Sequence, residues 1–216
     1  MRVDYTSLKS NSTLRKIARE RLHGNWGISV LCCLIFTIIS GILPGGSSVV
    51  SNRNPSVTFS VNLINFVIVG PLTYGLYGYF SNLIRGGEPN LELLFDGFSD
   101  FVRAFLGLLL MSIFSFLWSL LFIIPGIVKA LSYFLTPFIL RDNKDLSPTE
   151  AITLSREMMN GQKLKLFTLI LSFIGWIILG AIPFGLGLLW VVPYYYAALA
   201  AFYEDVKMAY NPNSLN

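Results

Sequence analysis

Residues 104–140 read AFLGLLLMSIFSFLWSLLFIIPGIVKALSYFLTPFIL and contain a single charge, Lys129. One helix crosses the hydrocarbon of a bilayer in about 20 residues, so this run is nearly two crossings long. Working outward, Leu22 to Asn52, Asn54 to Ile84 and Leu166 to Tyr203 contain no Asp, Glu, Lys or Arg at all. The whole chain is 54% hydrophobic and 13% charged, with a mean hydropathy of +0.62, outside the balance of a water-soluble domain. Phe105 to Met111 and Ile177 to Ile182 are apolar on every face, which excludes the alternating pattern of a membrane β-barrel.

The pattern predicts spans at about 25–44, 60–83, 103–124, 127–141, 165–183 and 186–203. The expected architecture is all-α, a polytopic membrane bundle of six transmembrane helices in three hairpins, each preceded by a short interfacial amphipathic helix. The fourth span is short for a crossing and is expected to tilt little or to end below the headgroups. The first gap follows basic residues, as a secretory signal would. Its polar lead exceeds twenty residues and no Ala-x-Ala pattern follows, so it is expected to stay as an anchor.

Orientation follows from the basic residues. Six lie in the lead before Gly24, five between Arg141 and Lys165, and Arg85, Arg103 and Lys207 make 14 of 16 on one side, leaving Arg53 and Lys129 on the other. By the positive-inside rule that side is the cytoplasm, with both termini in it. Because the basic residues flank spans instead of forming a domain, nucleic acid is not an expected partner. The bilayer is, together with a membrane-protein partner or a second copy of the chain.

Ser147-Pro148-Thr149-Glu150 is a capping box with proline at the first helical position, followed by Ala151, Leu154 and Met158 on one stripe and stopped by Asn160-Gly161. Leu14, Ile17, Ala18 and Leu22 form a similar stripe before Gly24, and Leu91, Leu94, Phe95 and Phe98 another around Gly97. These helices are expected at the inner interface. Trp118 precedes Pro125, and Trp176 precedes Pro183, by the same seven positions, and Leu43-Pro44-Gly45 suggests a matching outer turn. A single membrane domain is therefore expected to contain three parallel repeats, 13–85, 90–141 and 147–205, with 206–216 a flexible cytoplasmic tail.

Taken together, Trp118, Ile124-Pro125-Gly126, Lys129, Ser132-Tyr133, Asp142, the Ser147 to Gly161 stretch, Leu171 to Trp176, Pro193-Tyr194 and Phe202-Tyr203-Glu204 resemble the bacterial integral membrane proteins of domain of unknown function 975. Weaker likeness runs through Ala18, Leu22, Gly24 and Trp26 and through Leu94 to Phe98. The resemblance implies a bacterial cytoplasmic membrane protein and brings no activity, cofactor or catalytic residue with it.

Chemistry is sparse. No carboxylate falls inside an expected span, His23 has no partner at metal-ligand spacing, and no phosphate loop, nucleophile elbow or zinc signature is present. Neither catalysis nor a cofactor is expected. Cys32 and Cys33, adjacent in the first span, point to different helix faces and read as apolar fillers. Ser112, Ser115 and Ser119 form a stripe on the third span suited to close helix approach. Trp26, Tyr77, Tyr79 and Tyr203 suit aromatic belts, and Trp118 and Trp176 sit deeper and read as helix packing. Lys129, near the Pro125-Gly126 turn, reads as a side chain reaching the outer headgroups; the alternative is a contact to a buried substrate or lipid phosphate. Pro71 and Pro193 fall inside spans, where each removes a backbone hydrogen bond. The freed carbonyls, with Tyr74, Tyr133, Tyr194, Tyr195, Tyr196 and Lys129, make one candidate polar cavity; its rival is plain tyrosine packing. The functions left open are interaction in envelope homeostasis or in protection against membrane-active peptides, transport or lipid handling, and, least favoured, a membrane enzyme.

Overall fold

The structure, a computed structural model, describes residues 8–51, 55–121, 123–182 and 184–210, and of residues 41–51, 55–64, 121 and 123 the backbone alone. Arg53, Pro183 and residues 211–216 lie outside the described residues. Ten α-helices and no strand are present among those described. They are α1 (Asn11–Leu22), α2 (Trp26–Ser51), α3 (Pro55–Arg85), α4 (Asp96–Ser99), α5 (Phe101–Leu121), α6 (Ile123–Tyr133), α7 (Thr136–Asp142), α8 (Pro148–Met158), α9 (Lys163–Ala181) and α10 (Leu188–Tyr210), with a 3-10 helix at Leu91–Leu94.

Phe101–Leu120, Ile124–Asp142 and Lys163–Ala181 are long and apolar enough to cross a membrane, and α1 with the start of α2, bent by 101°, makes a fourth if that pair is one span. On α5 and α9 much of the apolar surface points outward: Phe116, Leu120, Ile178 and Leu179 are each more than half exposed. Such patches suit lipid, not water. These features describe an all-α membrane protein.

The core is centred on α10 and α3, which are less apolar than α2, α5 and α9. α10 contains Pro193, five tyrosines, Glu204 and Asp205, yet Ala197 to Ala200 are wholly buried, and α1, α2, α3, α8 and α9 all pack on it. Small side chains there let neighbouring backbones approach closely. α3 presents Leu72, Leu76, Tyr79 and Phe80 to the same interior. Pro71 and Pro193 both lie inside their helices, as expected.

Two of the three expected amphipathic helices form. Leu14, Ala18 and Leu22 are the buried face of α1, and α8 has the capping box: Glu150 N–H donates to Ser147 Oγ at 3.3 Å while Ser147 N–H donates to the Glu150 carboxylate at 2.8 Å. Gly24 (φ +84°) and Gly161 (φ +78°) supply the left-handed turns after these helices. The middle unit differs. Its stripe from Leu91 to Phe98 is a 3-10 helix followed by the four-residue α4, and only Leu94 of the four stripe residues is fully buried. Gly97 is no turn glycine; it sits inside α4, where a Cβ would overlap the Pro71 carbonyl of α3. Backbone contact with α3 replaces the amphipathic face.

Four other expectations change. α2 runs past Pro44 to Ser51, so the first helix does not end at Leu43-Pro44-Gly45. Pro125 lies in the first turn of α6, where its missing N–H costs nothing, and not in the preceding connection. The fourth span is two helices, α6 and α7, broken at Phe134-Leu135, because Pro137 has no N–H to bond the carbonyl four residues back at Tyr133 and its ring crowds that carbonyl. Residues 206–210 are not tail: α10 continues to Tyr210, with Val206 fully buried. On the third span, Ser119 faces Gly126 of α6, so the serine stripe does meet a close neighbour.

Candidate functional site

The charged side chains gather where α3, α7 and α10 end. Ser81 and Arg85 stand one turn apart on α3, Tyr203 and Lys207 one turn apart on α10, and Asp142 closes α7. One oxygen of Asp142 accepts from Arg85 Nη2 (2.5 Å), Lys207 Nζ (2.6 Å) and the Tyr203 hydroxyl (2.7 Å). Glu204 Oε1 accepts from Ser81 Oγ and Arg85 Nε, both at 2.9 Å. Two cations meet two carboxylates, so the cluster is neutral and each acid has a basic partner. Burial works against the Arg85 charge, but its bonds to Asp142 and Glu204 outweigh that and hold its pKa above the ordinary arginine value.

Further pairs extend this layer. Arg141 donates to Asp96 (3.0 Å) and Lys165 to Asp205 (3.1 Å), which also accepts the Lys9 backbone N–H (3.0 Å). Arg103 pairs with Asp100 and donates to the carbonyls of Asn143 (2.9 Å) and Leu146 (2.8 Å), tying the chain between α7 and α8 to the start of α5. Outside the spans, Glu150 is held below its ordinary pKa by its hydrogen bonds to the Ser147 hydroxyl and backbone.

The six residues of the candidate cavity go to several places. Tyr74 is buried beside a polar pocket of about 260 Å³ with Asp96, Asp100, Arg141 and Lys144. Tyr133 packs against Phe114. Lys129 lies over the Trp118 ring at 4.3 Å, a cation–π contact. Tyr194 touches Phe173 and Trp176, Tyr195 touches Phe173, and Tyr196 stacks on Phe80. The structure thus brings Tyr194, Tyr195 and Tyr196 together among aromatic rings, and sets Tyr74 and Tyr194 beside separate pockets. The aromatic-belt reading of Tyr79 and Tyr203 is corrected: both are buried, because each hydroxyl finds an internal partner, Ser29 (2.9 Å) and Asp142 respectively. Cys32 and Cys33 are both buried and unpaired.

The ion-pair layer was not assigned from sequence. Its signal was present, since acids and bases both stop at the ends of the uncharged runs and Asp142 and Glu204 stand among the residues that resemble the family.

A family model for proteins of unknown function (DUF975) matches residues 1–132 and 121–210. The chain belongs to the DUF975 family. No curated protein and no solved structure matches this DUF975 member. The two family matches between them cover both the ion-pair layer and the aromatic packing of α10.

Proposed function

We propose that this DUF975 protein is a non-enzymatic, six-span protein of the bacterial cytoplasmic membrane, with both termini in the cytoplasm. It acts through membrane and protein contacts in envelope homeostasis, including protection against membrane-active peptides. Its three hairpins are α2 with α3, α5 with the broken α6–α7, and α9 with α10. The partners are the bilayer and a membrane protein or a second copy of the chain.

The observation that carries this reading is the use made of the ionisable groups. Asp142, Glu204 and Asp205 are bound to basic side chains at the helix ends, leaving none of the three free to exchange protons with a substrate. The packing of α2 on α3, α5 on α6 and α9 on α10 supports the hairpins. Transport or lipid handling is the second reading, favoured by a tryptophan-lined crevice between α9 and α10.

A deletion strain challenged with a cationic membrane-active peptide tests the role: susceptibility rises, and the wild-type gene restores resistance. Glu204→Gln, expressed at the wild-type level, restores it too. Loss of resistance with Glu204→Gln in a folded, normally abundant protein overturns the non-enzymatic reading. Green fluorescent protein fused after Asn216 fluoresces and alkaline phosphatase fused near Asn54 is active; an inactive phosphatase there refutes the orientation.

A further inference from the structure

The crevice bounded by α1, α9 and α10 has a volume of about 480 Å³, within the ~300–1,000 Å³ range of small-molecule sites. Trp26, Trp176 and Trp190, three of the four tryptophans of the chain, line it. Trp176 is 41% and Trp190 54% exposed, so their rings face outward. Gly180 and Gly187 bring α9 and α10 together there: a Cβ on Gly187 would lie 2.6 Å from the Gly180 Cα. The walls are apolar, and a water-soluble ligand would find few hydrogen-bond partners.

Arg19 is the exception. It projects from α1 into the crevice, its guanidinium carbon 5.7 Å from the centre of the Tyr194 ring. Arg85, Arg103, Arg141, Lys165 and Lys207 each have a carboxylate partner. Arg19 has none among the described residues. Arg15 stands one turn before it on α1, outside the buried face of Leu14, Ala18 and Leu22. An unpaired guanidinium at the end of an outward-facing tryptophan crevice complements a ligand with an anionic head and an apolar tail.

We infer that this crevice binds one anionic phospholipid, its phosphate on Arg19 and an acyl chain along Trp26, Trp176 and Trp190 toward Gly180 and Gly187. The inference rests on reading α9 and α10 as membrane spans and deepens the proposed membrane contact. Arginine recognises the phosphate through its forked donors, and the tryptophan rings offer the acyl chain a broad apolar wall.

The test uses the full-length protein in vesicles of zwitterionic phosphatidylcholine containing a small fraction of either phosphatidylglycerol or phosphatidylcholine with brominated chains. A Trp118→Phe background leaves only the three crevice tryptophans to be quenched by bromine. Phosphatidylglycerol is expected to compete for the crevice about fivefold better than phosphatidylcholine, the preference one basic residue supplies near a membrane surface. Arg19→Gln abolishes the preference and Arg19→Lys keeps most of it. Equal quenching by the two lipids, or a preference that survives Arg19→Gln, overturns the site while leaving the spans intact. Absence of quenching by both lipids overturns the reading of α9 and α10 as spans as well. Vesicles with the same lipid in both leaflets make the result independent of orientation.

Discussion

Replacing Asp142 by alanine removes the acceptor of three hydrogen bonds at once, from Arg85, Lys207 and Tyr203. A fully buried charge pair that loses one partner costs about 3–5 kcal/mol. Here the carboxylate side chain is only 7% exposed, but Arg85 is 40% and Lys207 31% exposed, so both cations recover water and Arg85 keeps Glu204. Tyr203 recovers least, being buried, and its stranded hydroxyl costs about 1–3 kcal/mol. The sum is about 2–3 kcal/mol, or a fall of roughly 4–12 °C in apparent melting temperature for a chain of this size. Asp142→Asn keeps an acceptor oxygen and is expected to fall by about half as much. The assay is thermal aggregation of a fluorescent fusion in mild detergent, read by size-exclusion chromatography. The Asp142→Ala, Arg85→Ala double variant should lose less than the sum of the singles, because the two share one interaction. A melting temperature unchanged by Asp142→Ala, or strict additivity in the double variant, refutes the account of the cluster.

Gly97→Ala places a methyl group against the Pro71 carbonyl and is expected to cost about 1–3 kcal/mol or to abolish folded protein, whereas Gly175→Ala, with nothing within 4 Å, is neutral or mildly stabilising in the same chromatographic assay. Ser147→Ala should destabilise the start of α8 by about 1 kcal/mol, seen as faster hydrogen exchange at the amides of residues 149–151. The same amides report on pH: the Glu150 pKa is lowered in the fold, so its contribution is present above the unfolded value and lost as pH falls through the folded one. Exchange that does not speed up, after correction for its intrinsic pH dependence, on acidification through that window counts against the box. Tyr203→Phe deletes one donor to Asp142 and leaves the ring stacked on Phe138, so a loss of about 1 kcal/mol is expected, and a loss as large as that of Asp142→Ala contradicts the assignment.

Much of the helical framework was legible because charge exclusion over 20 to 40 residues is a strong signal and the capping box at Ser147 is a local one. The break ahead of Pro137 and the long α2 were less so, since proline marks both a helix start and a turn, and only the surrounding packing decides between them. The polar residues were harder still. Tyr74, Tyr133 and Tyr194 to Tyr196 were grouped by residue type and depth, but which ring meets which is settled by contacts far apart in sequence, such as Tyr196 on Phe80. The ion-pair layer joins residues 85, 142 and 204, a separation that no local pattern reports.

The central position of α10 has a consequence for synthesis. Chains emerge from the ribosome N-terminus first, so α1 to α9 are made before the helix against which α1, α2, α3, α8 and α9 pack. Until α10 packs into place, Arg85 lacks Glu204, Asp142 lacks Lys207 and Tyr203, and the buried side of α1 lacks its main cover. Final assembly is thus a late event: a ribosome that stops before Leu188 leaves the faces of α1, α2, α3, α8 and α9 that pack on α10 uncovered.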